Sequence, residues 1–239
     1  MAIELYMRDC YKKEWDTKVK SVKDGKFVVL EESYFYPASG GQPWDEGTLK
    51  TTDGREVNVV YAGKFGGVIS HQVEPENVLK EGDDVHCKLD WERRYKHMRM
   101  HTAAHIISHI FQDKKGALIT GNQLGTDKSR IDYQLEDYNP EEMKSYEPLV
   151  NEVVKKALPV HAEFLNREEA EEKVAKLSNL KVGFPEDIKE VRLLTIEGFD
   201  VQACGGTHLK NTSEVGTVKF IKFDNKGKNN RRVYYELAD

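Results

Sequence analysis

Several large protein classes are ruled out by what this 239-residue chain lacks. Its three cysteines, Cys10, Cys87 and Cys204, are too few for a disulfide framework and odd in number; they fit a reducing compartment with one thiol free for a metal. No apolar run reaches membrane-spanning length, and the first residues lack the basic flank and apolar stretch of a secretory signal. The expectation is a cytoplasmic protein with no membrane partner. Excess charge is also scarce, with a formal net of −5 and a pI near 6.0. That balance excludes a protein that coats nucleic acid by bulk charge and leaves room for a local basic patch. Internal repeats, low-complexity tracts and regular βαβ alternation are missing, which argues against a doubly wound sheet.

What is present divides near residue 88. Before it, short runs rich in Val and aromatics at 17–22, 26–30, 56–61 and 84–89 are separated by Asp24-Gly25, Asp53-Gly54 and Gly66-Gly67. Such spacing predicts a small barrel or closed sheet. A glycine-rich loop between Tyr34 and Gly47 lacks the Lys-Ser or Lys-Thr ending of a phosphate-binding loop and reads locally as a connection between strands. Beyond residue 88 the pattern mixes. A long helix follows Trp91, and strands are expected at 116–120, 130–135, 159–165 and 191–196. A helix from Pro140 towards Ala157 should be kinked or split by Pro148, a further helix covers 167–177, and a hairpin of 215–224 with 231–237 closes the chain. The expected fold class is α+β, with a small β-barrel domain at 1–88 followed by an α+β sandwich at 89–239.

The densest chemistry lies on the long helix. His97, His101, His105 and His109 recur every four residues in a stretch without Gly or Pro from Trp91 to Lys115. On a helix that spacing stacks side chains on nearly one face, with a drift of about 40° per step, so two adjacent members can grip one ion. Near the end of the chain, Cys204-Gly-Gly-Thr-His208 offers a thiolate and an imidazole on a segment whose glycines allow a tight fold. A His-x-x-x-His pair joined to a Cys-x-x-x-His pair is a zinc-type donor set. Spacing alone leaves open which two helix histidines take part. A metalloprotease is poorly matched, because Thr102 stands where a His-Glu-x-x-His helix needs its glutamate.

His101-Thr-Ala-Ala-His105, followed later by Asp200-Val-Gln-Ala-Cys204-Gly-Gly-Thr-His208, resembles the editing domain of alanyl-tRNA synthetases and of the free-standing alanyl-tRNA editing proteins of the AlaX family. The resemblance covers nearly the whole chain. It implies that His101, His105, Cys204 and His208 hold one zinc ion, with His97 and His109 flanking. It implies an ATP-independent hydrolase that cleaves the aminoacyl ester of mischarged tRNA(Ala), chiefly seryl-tRNA(Ala), with glycyl-tRNA(Ala) standing second. It also places Thr120, Asn122 and Gln123 in the substrate pocket wall, and brings Gly40 and Gly41 of the glycine-rich loop near that pocket. Asp200 is expected as a partner of the metal ligands or as a turn residue. Basic residues crowd the approach to the metal helix and the closing hairpin, so Arg99, Lys228, Arg231 and Arg232 are candidates for contact with RNA. Two rival readings stand beside this one. The first is a zinc-stabilised RNA-binding module without hydrolysis, suggested because four protein ligands normally describe a closed structural site. The second is a deacylase for another aminoacyl-tRNA.

Overall fold

The fold is that of a computed structural model describing residues 4–178 and 190–238. The described residues form two compact units, 4–95 and 96–238. Helix α1 (Leu5–Arg8) opens the first unit, followed by β1 (Glu14–Lys23), β2 (Phe27–Leu30), β3 (Gly47–Thr51), β4 (Glu56–Phe65), β5 (Val68–Glu74) and β6 (Asp84–Leu89). These strands close into an antiparallel barrel in the order β1-β2-β5-β4-β3-β6. Alternation drives the closure: β6 buries Val85, Cys87 and Leu89 while Asp84, His86 and Lys88 face out. Gly47 marks a point of close approach, since a Cβ there would lie 2.1 Å from the Lys88 carbonyl oxygen.

His71 is fully enclosed in this barrel. Its Nδ1–H donates to the Val28 carbonyl at 2.9 Å, and the Ser33 hydroxyl donates to its Nε2 at 2.8 Å. Burial pulls its pKa down from 6.5 to about 4, against the opposing pull of the Val28 carbonyl. Between those values the unfolded chain binds the extra proton. The stability is therefore intact above pH 6.5 and falls by about 3 kcal/mol as the pH drops towards 4. Urea titrations at pH 7 and pH 4.5 should show that loss in the native protein and a flatter response in His71→Gln; equal slopes would contradict the assignment.

Helix α2 (Trp91–Lys115) leads into the second unit, where β7 (Leu118–Gln123), β8 (Lys128–Gln134), β12 (Thr217–Asn225) and β13 (Asn230–Ala238) form an antiparallel sheet in the order β12-β13-β8-β7. Between β8 and β12 come α3 (Pro140–Ser145), α4 (Glu147–Lys155), β9 (Val160–Asn166), α5 (Arg167–Ser178), β10 (Glu190–Ile196), β11 (Asp200–Ala203) and a 3₁₀ turn at Thr212–Val215. The expected single helix from Pro140 is indeed two. The break falls at Tyr146, because Pro148 is accommodated in the first turn of α4, where a missing N–H costs nothing. Strands β9, β10 and β11 make a second antiparallel sheet with β10 in its middle, and its apolar face packs on α5 through Ala170, Val174, Val191, Leu193 and Val201.

Helix α2 is the centre of this unit. Phe111 stacks on Tyr133 at 4.9 Å, the Ser108 hydroxyl meets Tyr133 Oη at 3.1 Å, and Tyr235 Oη donates to the Met100 carbonyl at 2.8 Å. From His101 to Ser108 every residue is buried, so the polar side chains in that stretch need partners inside the protein. Among the described residues no helix is long and apolar enough to cross a membrane.

Candidate metal centre

The partners of the α2 histidines come from the segment after β11. One donor atom from each of His101, His105, Cys204 and His208 lies within 4.8 Å of the others. Cys204 Sγ is 3.1 Å from His208 Nε2 and 3.6 Å from His101 Nε2; the His208 ring centre is 4.2 Å from that of His101 and 4.7 Å from that of His105. A tetrahedral zinc ion with one sulfur and three nitrogens sets donor-to-donor spacings of roughly 3.3–3.5 Å. The two sulfur–nitrogen distances bracket that spacing. Donor chemistry and geometry both fit one borderline-soft divalent cation.

Surrounding groups decide how the donors are presented. His208 Nδ1–H donates to Thr102 Oγ1 at 3.2 Å, and the same oxygen accepts the Leu209 N–H at 3.2 Å, which turns His208 Nε2 towards the thiol. Gly206 N–H points at Cys204 Sγ at 3.4 Å. Asp200 sets one carboxylate oxygen 3.0 Å from His109 Nδ1 and the other 3.6 Å from His105 Nδ1, while Gln202 donates to it at 2.9 Å. Asp200 lies in strand β11 rather than in a turn; its hydrogen-bonded imidazole is that of His109, with His105 at ion-pair distance.

Electrostatics favour a bound cation. Burial pushes the Cys204 thiol up, but the imidazoles, His101 foremost, outweigh it and hold the thiol well below its usual value. Burial and the neighbouring His101 hold His208 well below an ordinary histidine. Burial also opposes charge on His105, yet Cys204 and Asp200 carry it up to about 9. The Asp200 carboxyl, raised by burial and lowered more by His105 and His109, sits at about 2. Thiolate and neutral imidazole are the forms that bind metal, so a cation would compete with protons for these donors.

The other sequence candidates are held by contacts of their own. Thr120 and Gln123 are exposed on β7, and Gln123 Oε1 accepts from Arg130 at 3.2 Å. Asn122 pairs with Ile131 and so shares the sheet face that carries Tyr133 onto α2; its Oδ1 is buried without a hydrogen-bond partner. Gly40 and Gly41 occupy a two-residue turn in the first unit, with φ of 54° and 84° and Ser39 and Gln42 bonded across it. Arg99 Nε donates to the Val215 carbonyl, and Lys228 is exposed in the β12–β13 turn. Arg232 donates to its cross-strand neighbour Asp132 through Nε and Nη2. Arg231 is buried, its guanidinium bonded to the carbonyls of Gly227, Asn230 and Glu136 and to Asn225 Oδ1; it staples the hairpin. Sequence reasoning used Thr102 only to exclude a protease and did not name Arg192. The signal for Arg192 was a lone cation inside the apolar run Val191–Ile196.

Comparison with known proteins follows the same division. A family model described as the threonyl and alanyl tRNA synthetase second additional domain matches residues 191–234, and one for class II (A) tRNA synthetases matches residues 6–93. A Methanosarcina barkeri protein named alanyl-tRNA editing protein AlaX-M is 51% identical over the full length of both chains. One of the same name from Saccharolobus solfataricus is 36% identical over 99% of each. An alanine–tRNA ligase of Pyrococcus furiosus is 42% identical over 221 residues, covering 91% of this chain and 24% of the ligase.

Proposed function

This chain belongs to the AlaX-M family of alanyl-tRNA editing proteins, and from that premise we propose that it hydrolyses the ester joining serine, and secondarily glycine, to the 3′ end of tRNA(Ala) at a zinc site. The observation that carries the reading is the convergence of His101, His105, Cys204 and His208. Such an activity answers a physical need, since a site that selects alanine rejects serine and glycine by small differences only.

A bound zinc ion would supply Lewis acidity, drawing electron density from an oxygen or nitrogen of the aminoacyl group. The chain supplies the rest. Asn122 is the best-supported reader of serine, because its buried, unpartnered Oδ1 can accept the serine hydroxyl and would stay unsatisfied with alanine, a difference of about 1–3 kcal/mol. Thr120, Gln123, Gly40 and Gly41 enter as further substrate contacts by resemblance alone. Arg99, Lys228 and Arg232 are assigned to RNA phosphates, an attraction that weakens as salt rises; Arg231 is left out of that set because its guanidinium is used inside the protein.

The test is a parallel deacylation assay with Ser-tRNA(Ala), Gly-tRNA(Ala) and Ala-tRNA(Ala). Serine should be released fastest and alanine about 10- to 100-fold more slowly. Comparable hydrolysis of the correctly charged species would overturn the editing reading. The four-donor shell supports a second reading, a zinc-stabilised RNA-binding module, which predicts tRNA binding without release of any amino acid and unfolding on chelation.

A further inference from the structure

Arg192 sits on the middle strand β10 and is 7% exposed. Its neighbours Val191 and Leu193 pack on α5, so by the two-residue period of a strand its own side chain leaves from the opposite sheet face. There Nη1 donates to the Cys204 carbonyl at 2.5 Å and to the Gly206 carbonyl at 3.0 Å, while the Arg192 carbonyl accepts the Cys204 N–H at 3.2 Å. Three hydrogen bonds thus tie one residue to both ends of the Cys204-Gly205-Gly206 turn.

We propose that Arg192 is a positioning residue for the metal centre, clamping the backbone of the Cys204–His208 loop so that the thiolate and the His208 imidazole face His101 and His105 before any ion arrives. The inference rests on the zinc reading above. The loop needs such a clamp because Gly205 and Gly206 have no side chains to pack, and glycine backbone is otherwise the freest in the chain. Without the guanidinium, the inward-facing carbonyls of Cys204 and Gly206 would have to turn out to find partners, and Cys204 Sγ would move with them. Thr102 holds the other side of the loop through His208 Nδ1 and the Leu209 N–H, so the two clamps act on different ligands. A positive group beside the turn also suits a loop that carries a thiolate.

The experiment is zinc release from the loaded full-length protein into a chromophoric chelator, for the native chain, Arg192→Met, Arg192→Lys and Thr102→Val, with melting temperatures of the zinc-loaded and zinc-free forms. Arg192→Met should release zinc about 10- to 100-fold faster, Arg192→Lys should recover part of the difference, and Thr102→Val should also release faster. Arg192→Met should lower the melting temperature of the zinc-free form by less than that of the loaded form, because the loosened loop recovers freedom only where no ion holds it. If Arg192→Met keeps zinc as long as the native protein, or if its loaded and zinc-free forms lose equal stability, Arg192 is only a buried core residue and the inference falls. A native chain that binds no zinc would instead overturn the reading beneath it.

Discussion

Cys204→Ala is expected, on the proposed function, to abolish zinc binding and deacylation together. Cys204 supplies the one sulfur of the cluster, and its thiolate character balances the charge that a divalent ion brings into a buried site. Removing it leaves three imidazoles, two on α2 and one on a loop with less to hold it in place. Release of serine from Ser-tRNA(Ala) should fall by more than about 100-fold, since even losing an outer partner of a metal ligand costs 10- to 100-fold. The fold should persist, because the barrel core and the packing of Phe111 on Tyr133 do not include Cys204. Metal analysis, circular dichroism and a single-turnover deacylation assay on one preparation check all three statements. Full zinc content, or undiminished deacylation in a zinc-free variant, would contradict the assignment.

Asp45→Ala should produce the largest loss of stability in the first unit, about 3–5 kcal/mol. Arg94, in the first turn of α2, and Asp45, in the glycine-rich loop, are both 0% exposed. The guanidinium Nε meets the two carboxylate oxygens at 2.9 and 3.0 Å, and the other nitrogens donate to the carbonyls of Cys10 and Tyr34 at 2.8 and 2.7 Å. Asp45 in turn accepts the Tyr36 N–H at 2.6 Å. One ion pair therefore joins the N-terminal segment, both ends of the glycine-rich loop and the helix start. Deleting the carboxylate strands a buried cation, which is what makes the single change severe. The double change Asp45→Leu with Arg94→Met should cost much less, because no uncompensated charge remains. Urea unfolding followed by tryptophan fluorescence measures both, and a loss under about 1 kcal/mol for Asp45→Ala would show that the pair is solvated after all.

The parts of this protein visible in its sequence are those set by local period. The four-residue spacing from His97 to His109 predicts one helix face, and the helix is there. Pro148 foretells a break, although its tolerance in a first turn moves that break to Tyr146. Convergence of a C-terminal loop on α2 is a long-range fact that no spacing contains; it entered only through the resemblance of two motifs. Strand β3, a five-residue Gly-Thr-Leu-Lys-Thr, is ordered by pairing with β4 on one side and β6 on the other rather than by its own propensity. Burial is hidden in the same way. Arg231 and Arg232 are equal in the sequence, yet one is enclosed by carbonyls and the other, part-exposed, pairs with the mostly buried Asp132. Asn122 reads as a turn residue until its register beside Ile131 sets it on the inner face.

The most direct test is deacylation of Ser-tRNA(Ala) measured on a single preparation as isolated, after removal of metal by a chelator, and after return of one equivalent of zinc. Loss of the reaction on removal and its recovery on reloading is the predicted result. Unchanged hydrolysis by protein shown to be free of metal would contradict a catalytic centre built from His101, His105, Cys204 and His208.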